Sequence, residues 1–208
     1  MRENIDKYTI KYMNKDIYYI DINDEDETGL DAISLVQHPA IEVDFLCFNK
    51  DTKKIDFSAD EDKHILTAVA LRADHPIYRR NGDHEYWVVF TKDVIRKLVT
   101  KYAKNNLFNS VNIEHNDYSF VKSAYMIESY IVDKARGIVP SEFKDIEDGS
   151  WIVSYYIDDE SLWNVVKNTD ALNGLSVQGL FKLVDKQEFA SQKEQSFEEW
   201  LDEYMEDI

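Results

Sequence analysis

Residues 77–104 read IYRRNGDHEYWVVFTKDVIRKLVTKYAK and carry the clearest fold signals of the chain. Asn81-Gly82 separates two runs rich in β-branched and aromatic residues, a pattern that predicts a β-hairpin. Thr91 then offers an N-cap, and apolar residues recur at helical spacing over the following turns. This stretch therefore predicts two antiparallel strands followed by a helix that packs one face on the sheet.

Further short apolar segments on both sides of this stretch predict more strands. A second, short helix is predicted after a cap at Asp158 or Asp159. The order lacks the regular βαβα alternation of a parallel sheet, so the sequence predicts an α+β, mainly β fold, with a mostly antiparallel sheet or barrel flanked by helices. The predicted strands cover residues 8–22, 32–36, 65–71, 111–114, 120–132, 151–157 and 175–184.

The length of 208 residues fits one domain with short appendages. The polar run 49–62 is the best candidate for a boundary. We therefore predict an N-terminal extended arm with the first strands (residues 1–62), a core (63–185) and an acidic tail (186–208). A capping box at Ser196 predicts a short amphipathic helix in this tail.

Charge and cysteine content limit the classes of function. With 24 Lys+Arg against 41 Asp+Glu, the net charge of -17 disfavours nucleic acids and anionic membranes as direct ligands. The single cysteine, Cys47, excludes an intramolecular disulfide and is expected to be a buried thiol. No apolar run approaches the roughly 20 residues of a membrane span, and the N-terminus lacks a signal-peptide pattern. A reducing cytoplasm is the expected environment, and no cofactor is predicted.

Two residues could perform nucleophilic chemistry. His115 ends a predicted strand in which Val111 and Ile113 share its face, so the imidazole is expected to continue the inward face beside a turn. Ser176 begins a strand, and the glycines at 174 and 179 would let another backbone come close. Each residue taken alone also fits an ordinary polar position.

Glu128 is the third candidate, because it lies within an apolar segment where a carboxylate is costly to bury without a partner. His115 would be that partner if the two strands formed a hairpin. An exposed edge position or a structural ion pair fits Glu128 equally well. A metal site at His115 with Glu114 or Asp117 is a further alternative, although few hard ligands lie nearby in sequence.

Seven segments stand in the following order along the chain: residues 33–42, 76–79, 86–90, 112–116, 127–132, 162–163 and 174–179. In this order they resemble the XkdF-like phage serine proteases, from about residue 30 to 184. The resemblance implies that His115, in a Glu-His-Asn motif, is the family histidine, and that Ser176, between Gly174 and Gly179, is the family serine. Gln178 stands where the family more often has glutamate. The acidic third member is assigned to Glu128, with Asp133 and Asp158 as alternatives.

The resemblance also implies a fold and a role. Prohead proteases of tailed phages are similar to the herpesvirus capsid protease, a closed antiparallel β-barrel surrounded by helices. The implied function is cleavage of scaffold and major capsid proteins inside the assembling prohead in the host cytoplasm. Self-cleavage within residues 1–31 and 186–208, and a homo-oligomer, are further expectations. The rival hypothesis is an inactive protease-fold assembly protein, which predicts that Ser176 and His115 lie far apart.

Overall fold

A computed structural model describes residues 15–23, 25–39, 63–169 and 171–192, together with the backbone of 46–48. Residues 186–192 are helical. The other elements are β1 (Asp16–Asp21), β2 (Gly29–Val36), β3 (Leu46–Phe48), β4 (Ile65–Leu71), β5 (Pro76–Asn81), β6 (His84–Val89), α1 (Lys92–Lys104), β7 (Val111–Ile113), β8 (Ala124–Ile131), β9 (Trp151–Ile157), α2 (Glu160–Asn168), β10 (Gly174–Leu180) and β11 (Lys182–Asp185).

The strands of the described residues form three sheets, with the orders β11-β1-β6-β5, β10-β2-β7 and β3-β4-β9-β8. Neighbouring strands are antiparallel except for the parallel pairs β1–β6 and β2–β7. The predicted α+β, mainly β class is therefore confirmed. A closed barrel is not found among the described strands, and that part of the prediction stays unconfirmed.

The local signals around residues 77–104 led to the expected structure. Asn81 pairs with His84 at the end of the β5–β6 hairpin, and Gly82 adopts a φ of 60° in the turn. The Thr91 side chain accepts a hydrogen bond from the Val94 amide and caps α1. Asp159, one of the two predicted caps, does the same for α2.

The first strands are built into the core. β1 lies between β11 and β6, β2 lies between β10 and β7, and Ile20 of β1 is only 1 % exposed. Removal of residues 1–31 would break two sheets, so the expected trimming is incompatible with the fold for residues 15–31. The start of the predicted tail also packs, since Phe189 stacks on Tyr19 with ring centroids 4.4 Å apart. The amphipathic helix predicted after Ser196 and the Cys47 side chain lie outside the described residues.

The prediction of one long strand over 175–184 is wrong. A register shift occurs between Gln178 and Gly179, and the chain leaves the β2 sheet before β11 pairs with β1. Phe181 lies between the two strands and packs edge-on against Phe90, at 5.4 Å between ring centroids. The predicted strand 120–132 is likewise shorter, because its first residues form only one bridge, from Phe120 to Asn112.

Gly179→Ala is expected to destabilise the protein more than Gly82→Ala. A Cβ at Gly179 would lie 2.0 Å from the carbonyl oxygen of Gly29 on the paired strand, whereas a Cβ at Gly82 meets nothing within 4 Å. We expect a loss of about 2–3 kcal/mol for Gly179→Ala from overpacking. The left-handed conformation at Gly82 should cost its alanine about 1 kcal/mol. Urea denaturation of both variants measures the difference, and equal losses would contradict this packing.

Candidate active site

Ser176 lies in a row of polar residues that crosses the middle sheet. It pairs with Ser34 of β2, and Ser34 pairs with Asn112 of β7. Side chains that are in register on neighbouring strands project from the same face of a sheet. Ser34 therefore lies between the predicted nucleophile and Asn112.

His115 is held over this row by Ser34. The Ser34 hydroxyl lies 2.9 Å from His115 Nδ1 and 2.6 Å from Asn112 Oδ1. Because Ser34 is also the sheet neighbour of Ser176, it places the imidazole beside the strand that carries Ser176. The structure thus brings the two residues of the predicted pair to one place.

Both residues line a cleft with a volume of about 640 Å³. Ser176 is 8 % exposed and forms part of the cleft wall, whereas Ser34 is 0 % exposed and does not line the cleft. Of Ser34 and Ser176, only Ser176 lines the cleft and can meet a substrate there. Other residues of the cleft include Arg79, Ile20, Val88, Phe90 and Leu183.

The backbone at His115 departs from the predicted strand geometry. β7 ends at Ile113, and both Glu114 and His115 adopt left-handed conformations, with φ of 53° and 55°. The Glu114 carboxylate accepts a hydrogen bond from the Gln37 amide at 2.7 Å, which pins this turn. The alternation of strand faces that was predicted through His115 therefore stops at Ile113. The His115 side chain instead contacts Ser34, which also contacts Asn112. Left-handed non-glycine residues store strain that often marks a functional site.

A chain of four side chains fixes the tautomer of His115 in its neutral form. The Asp117 carboxylate accepts from Gln178 Nε2 at 2.7 Å, and Gln178 Oε1 accepts from Asn112 Nδ2 at 2.7 Å. A carboxylate can only accept hydrogen bonds, so it sets the orientation of both amides. Asn112 Oδ1 then accepts the single hydroxyl hydrogen of Ser34. With these orientations Ser34 accepts from His115 Nδ1–H, so a neutral imidazole carries its proton on Nδ1 and has an unprotonated Nε2.

The surroundings also keep the imidazole neutral. Burial lowers the pKa of His115 below its usual value of 6.5, and the nearby positive charge of Arg79 lowers it further. Glu114 and the Gln178 side chain act in the opposite direction, but the net change is downward. A neutral imidazole with an unprotonated Nε2 is the form that can act as a general base.

Glu128 is not part of this arrangement. It is exposed on β8, the edge strand of a different sheet, and accepts a hydrogen bond from Ser154. A hairpin between its strand and the His115 strand, which was the condition for a Glu128–His115 pair, does not form, because β7 pairs with β2 and β8 pairs with β9. The edge position explains how the carboxylate is tolerated, since it remains in water.

The two alternatives to Glu128 are also placed elsewhere. Asp133 accepts from the backbone amide of Arg136, and Asp158 accepts from the Tyr156 hydroxyl at 3.4 Å. Neither residue lines the cleft. His115 thus has a serine at Nδ1, where the resemblance predicted an acid.

Glu128→Gln is expected to change kcat/KM by less than about threefold, since exposed polar substitutions far from a site have small effects. The amide can still accept from Ser154, so the melting temperature should also change little. Peptide hydrolysis and thermal unfolding measure the two quantities. A loss of about 100-fold or more, equivalent to about 2.7 kcal/mol, would show that Glu128 acts on His115.

Sequence reasoning missed Ser34 and Asn112 as supporting residues. One signal was available, since Ser34 interrupts the apolar run Ile33 to Val36. A polar residue inside a buried strand needs a hydrogen-bond partner. Its partners, however, come from residues 78 and 81 positions away in the chain.

The metal alternative has no ligand set in the part of the chain that the structure describes. No group of three His, Cys, Asp or Glu side chains there could hold an ion. Glu114 and Asp117 instead accept from the Gln37 amide and the Gln178 side chain. Among the described residues, the helices are too short or too polar to cross a membrane.

A serine on a cleft wall and a histidine with a free ring nitrogen are the two groups that serine hydrolases require. The chain belongs to the family described as "putative phage serine protease XkdF", whose model matches residues 51–185, more than half of the 208 residues. The match includes His115 and Ser176, whereas Ser34 precedes it. Searches of curated proteins and of solved structures each find no match.

Proposed function

We propose that the protein is a serine endopeptidase of phage head maturation, with Ser176 as nucleophile and His115 as general base. The observation that supports this most strongly is the series of hydrogen-bonded side chains from Asp117 through Gln178 and Asn112 to Ser34. It favours the neutral tautomer of His115 in which Nε2 is unprotonated, and both His115 and Ser176 line the same cleft.

The proposed reaction follows acyl-enzyme chemistry. His115 Nε2 takes the hydroxyl proton as Ser176 Oγ attacks the carbonyl carbon of the scissile peptide bond. The imidazolium then gives this proton to the leaving amine as the C–N bond breaks, and an ester to Ser176 remains. Water, deprotonated by the same nitrogen, hydrolyses this ester and restores the Ser176 hydroxyl.

Ser34 takes the position that an acid occupies in a Ser-His-acid triad. A hydroxyl accepts the Nδ1–H bond and so fixes the ring orientation and the tautomer. It carries no charge, however, and stabilises the imidazolium less than a carboxylate would. We therefore propose that Ser34 is a positioning residue and that the acid of the triad is replaced by a neutral acceptor.

The proposed substrates are the scaffold protein, the N-terminal segment of the major capsid protein and the chain's own ends outside residues 15–192. The setting is the assembling prohead in the host cytoplasm. With a net charge of -17, the protein attracts cationic polypeptides at long range, which favours docking of basic scaffold or capsid regions outside the cleft.

Co-expression with the scaffold and capsid proteins of the same phage tests this proposal. We expect the wild type to shorten one or both proteins, with intact-mass changes that are absent for Ser176→Ala. Wild type and variant that leave both proteins intact would favour the rival, an inactive assembly protein with a protease fold.

The activity is expected to rise with pH through a midpoint below 6.5. Only neutral His115 can accept the Ser176 proton, and the pKa of His115 is lowered by burial and by Arg79. Glu114→Gln removes the charge that raises this pKa, so it should move the midpoint of kcat/KM to lower pH. A pH profile with a peptide substrate between about pH 5 and 8 measures both. An acid limb centred above 6.5 in the wild type would contradict the assigned environment.

A further inference from the structure

Arg79 places a positive charge in the cleft that holds Ser176. On β5, Ile77 is 2 % exposed, and Arg79 shares its face because it lies two residues further along the strand. Tyr78 and Arg80 are exposed on the other face. Arg79 is half-buried and lines the cleft with His115 and Ser176.

This charge has no carboxylate partner among the described residues. The hydrogen bond of the Arg79 guanidinium goes to the carbonyl oxygen of Tyr78, at 3.0 Å. Of the other described arginines, those at 72, 80 and 136 each form an ion pair with an acidic side chain, and Arg96, which forms none with a described residue, is exposed to water. Burying a cation without a counterion costs free energy, and burial indeed lowers the pKa of Arg79.

No acidic side chain of the described residues lines the cleft. The chain has 41 acidic residues, yet no Asp or Glu of the part that the structure describes is in this lining. Its walls are mixed, with apolar Ile20, Val88, Phe90 and Leu183 beside polar His38 and Tyr86. A guanidinium without a described carboxylate partner, next to apolar side chains, fits a carboxylate that is attached to an otherwise apolar peptide segment.

We propose that Arg79 binds a carboxylate of the substrate, so that the cleft selects peptides with Glu or Asp among apolar residues next to the scissile bond. This inference rests on the proposed protease function and adds the substrate class. The fork of the guanidinium can donate two hydrogen bonds to one carboxylate, which an amide side chain cannot receive as well. Residues 195–206 of the chain itself, QSFEEWLDEYME, have this character.

A matched peptide pair tests the proposal. One synthetic peptide has the sequence 195–206, and the other replaces each Glu and Asp by Gln and Asn. We expect the wild type to cleave the acidic peptide about 10–100-fold faster in kcat/KM, as for a charge-assisted contact. In Arg79→Met this ratio should fall to about one, and Arg79→Lys should restore part of it. Arg80→Met, on the exposed face, should keep the wild-type ratio.

A binding measurement separates this inference from the proposed function. The Ser176→Ala variant should bind the acidic peptide about tenfold or more tightly than its amide form, and adding Arg79→Met should remove the difference. If the wild type cleaves nothing but this binding preference holds, the protease function fails and the carboxylate site stands. Cleavage or binding without preference for the acidic peptide, or a preference that survives Arg79→Met, would overturn the site.

Discussion

Replacing Ser176 with alanine is expected to lower the rate of peptide hydrolysis by about 10⁴- to 10⁶-fold, because removal of a serine nucleophile eliminates the acyl-enzyme route. The fold should survive, since the change deletes one oxygen from a side chain that packs on the cleft wall. We expect the free energy of unfolding to change by about 1 kcal/mol or less. Single-turnover kinetics and urea denaturation measure the two effects.

Ser154→Ala is the matched control for this variant. Ser154 is a buried serine of β9 and is hydrogen-bonded to Thr67 and Glu128, away from the cleft. Its loss should destabilise the protein by about 1 kcal/mol and leave hydrolysis unchanged. Equal activity of wild type and Ser176→Ala would assign the chemistry to another residue.

Replacing Ser34 with alanine is expected to lower kcat by about 10²- to 10⁴-fold, the range seen when a triad histidine loses the partner that fixes its tautomer. The variant removes the acceptor of His115 Nδ1–H and the donor to Asn112 Oδ1 at a site that is 0 % exposed. KM should change little, because Ser34 does not line the cleft. Steady-state kinetics separate kcat from KM.

Nitrogen NMR of His115 distinguishes this positioning role from a general loss of structure. The wild type should show a proton on Nδ1 and a free Nε2, whereas Ser34→Ala should show a mixture of tautomers. Asp117→Asn provides a graded comparison, because an amide can donate as well as accept and no longer fixes the orientation of Gln178. We expect a smaller loss of kcat, about tenfold. An unchanged tautomer in Ser34→Ala would contradict the proposal that Ser34 and its hydrogen-bonded partners fix the tautomer of His115.

The elements that the sequence predicts well depend on neighbouring residues. The Asn81-Gly82 turn and the Thr91 cap are set within four positions, so the β5–β6 hairpin and α1 follow directly from the pattern. The partners of the other strands are set over long distances. β2 joins β10 and β7, which are separated from it by more than 70 residues, and no local pattern specifies such pairings.

The same difference between local patterns and long-range pairing explains which parts of the site were predicted correctly. His115 and Ser176 came from motifs, and the structure brings both to one cleft. Glu128 was chosen on the assumption that strands adjacent in sequence form a hairpin, and the pairing of β7 with β2 removed that basis. Ser34 has no catalytic motif of its own. Its role depends on the left-handed turn at His115 and on the register of three strands.

Covalent labelling of the full chain with a fluorophosphonate, followed by peptide mapping, tests the central claim most directly. Such a reagent phosphonylates a serine only when a base activates its hydroxyl and the residue is accessible. We predict one adduct on the peptide that contains Ser176, absent in Ser176→Ala and strongly slowed in His115→Ala. No adduct on the wild type, or an adduct on another serine, would contradict the claim that Ser176 and His115 form the nucleophile and its base.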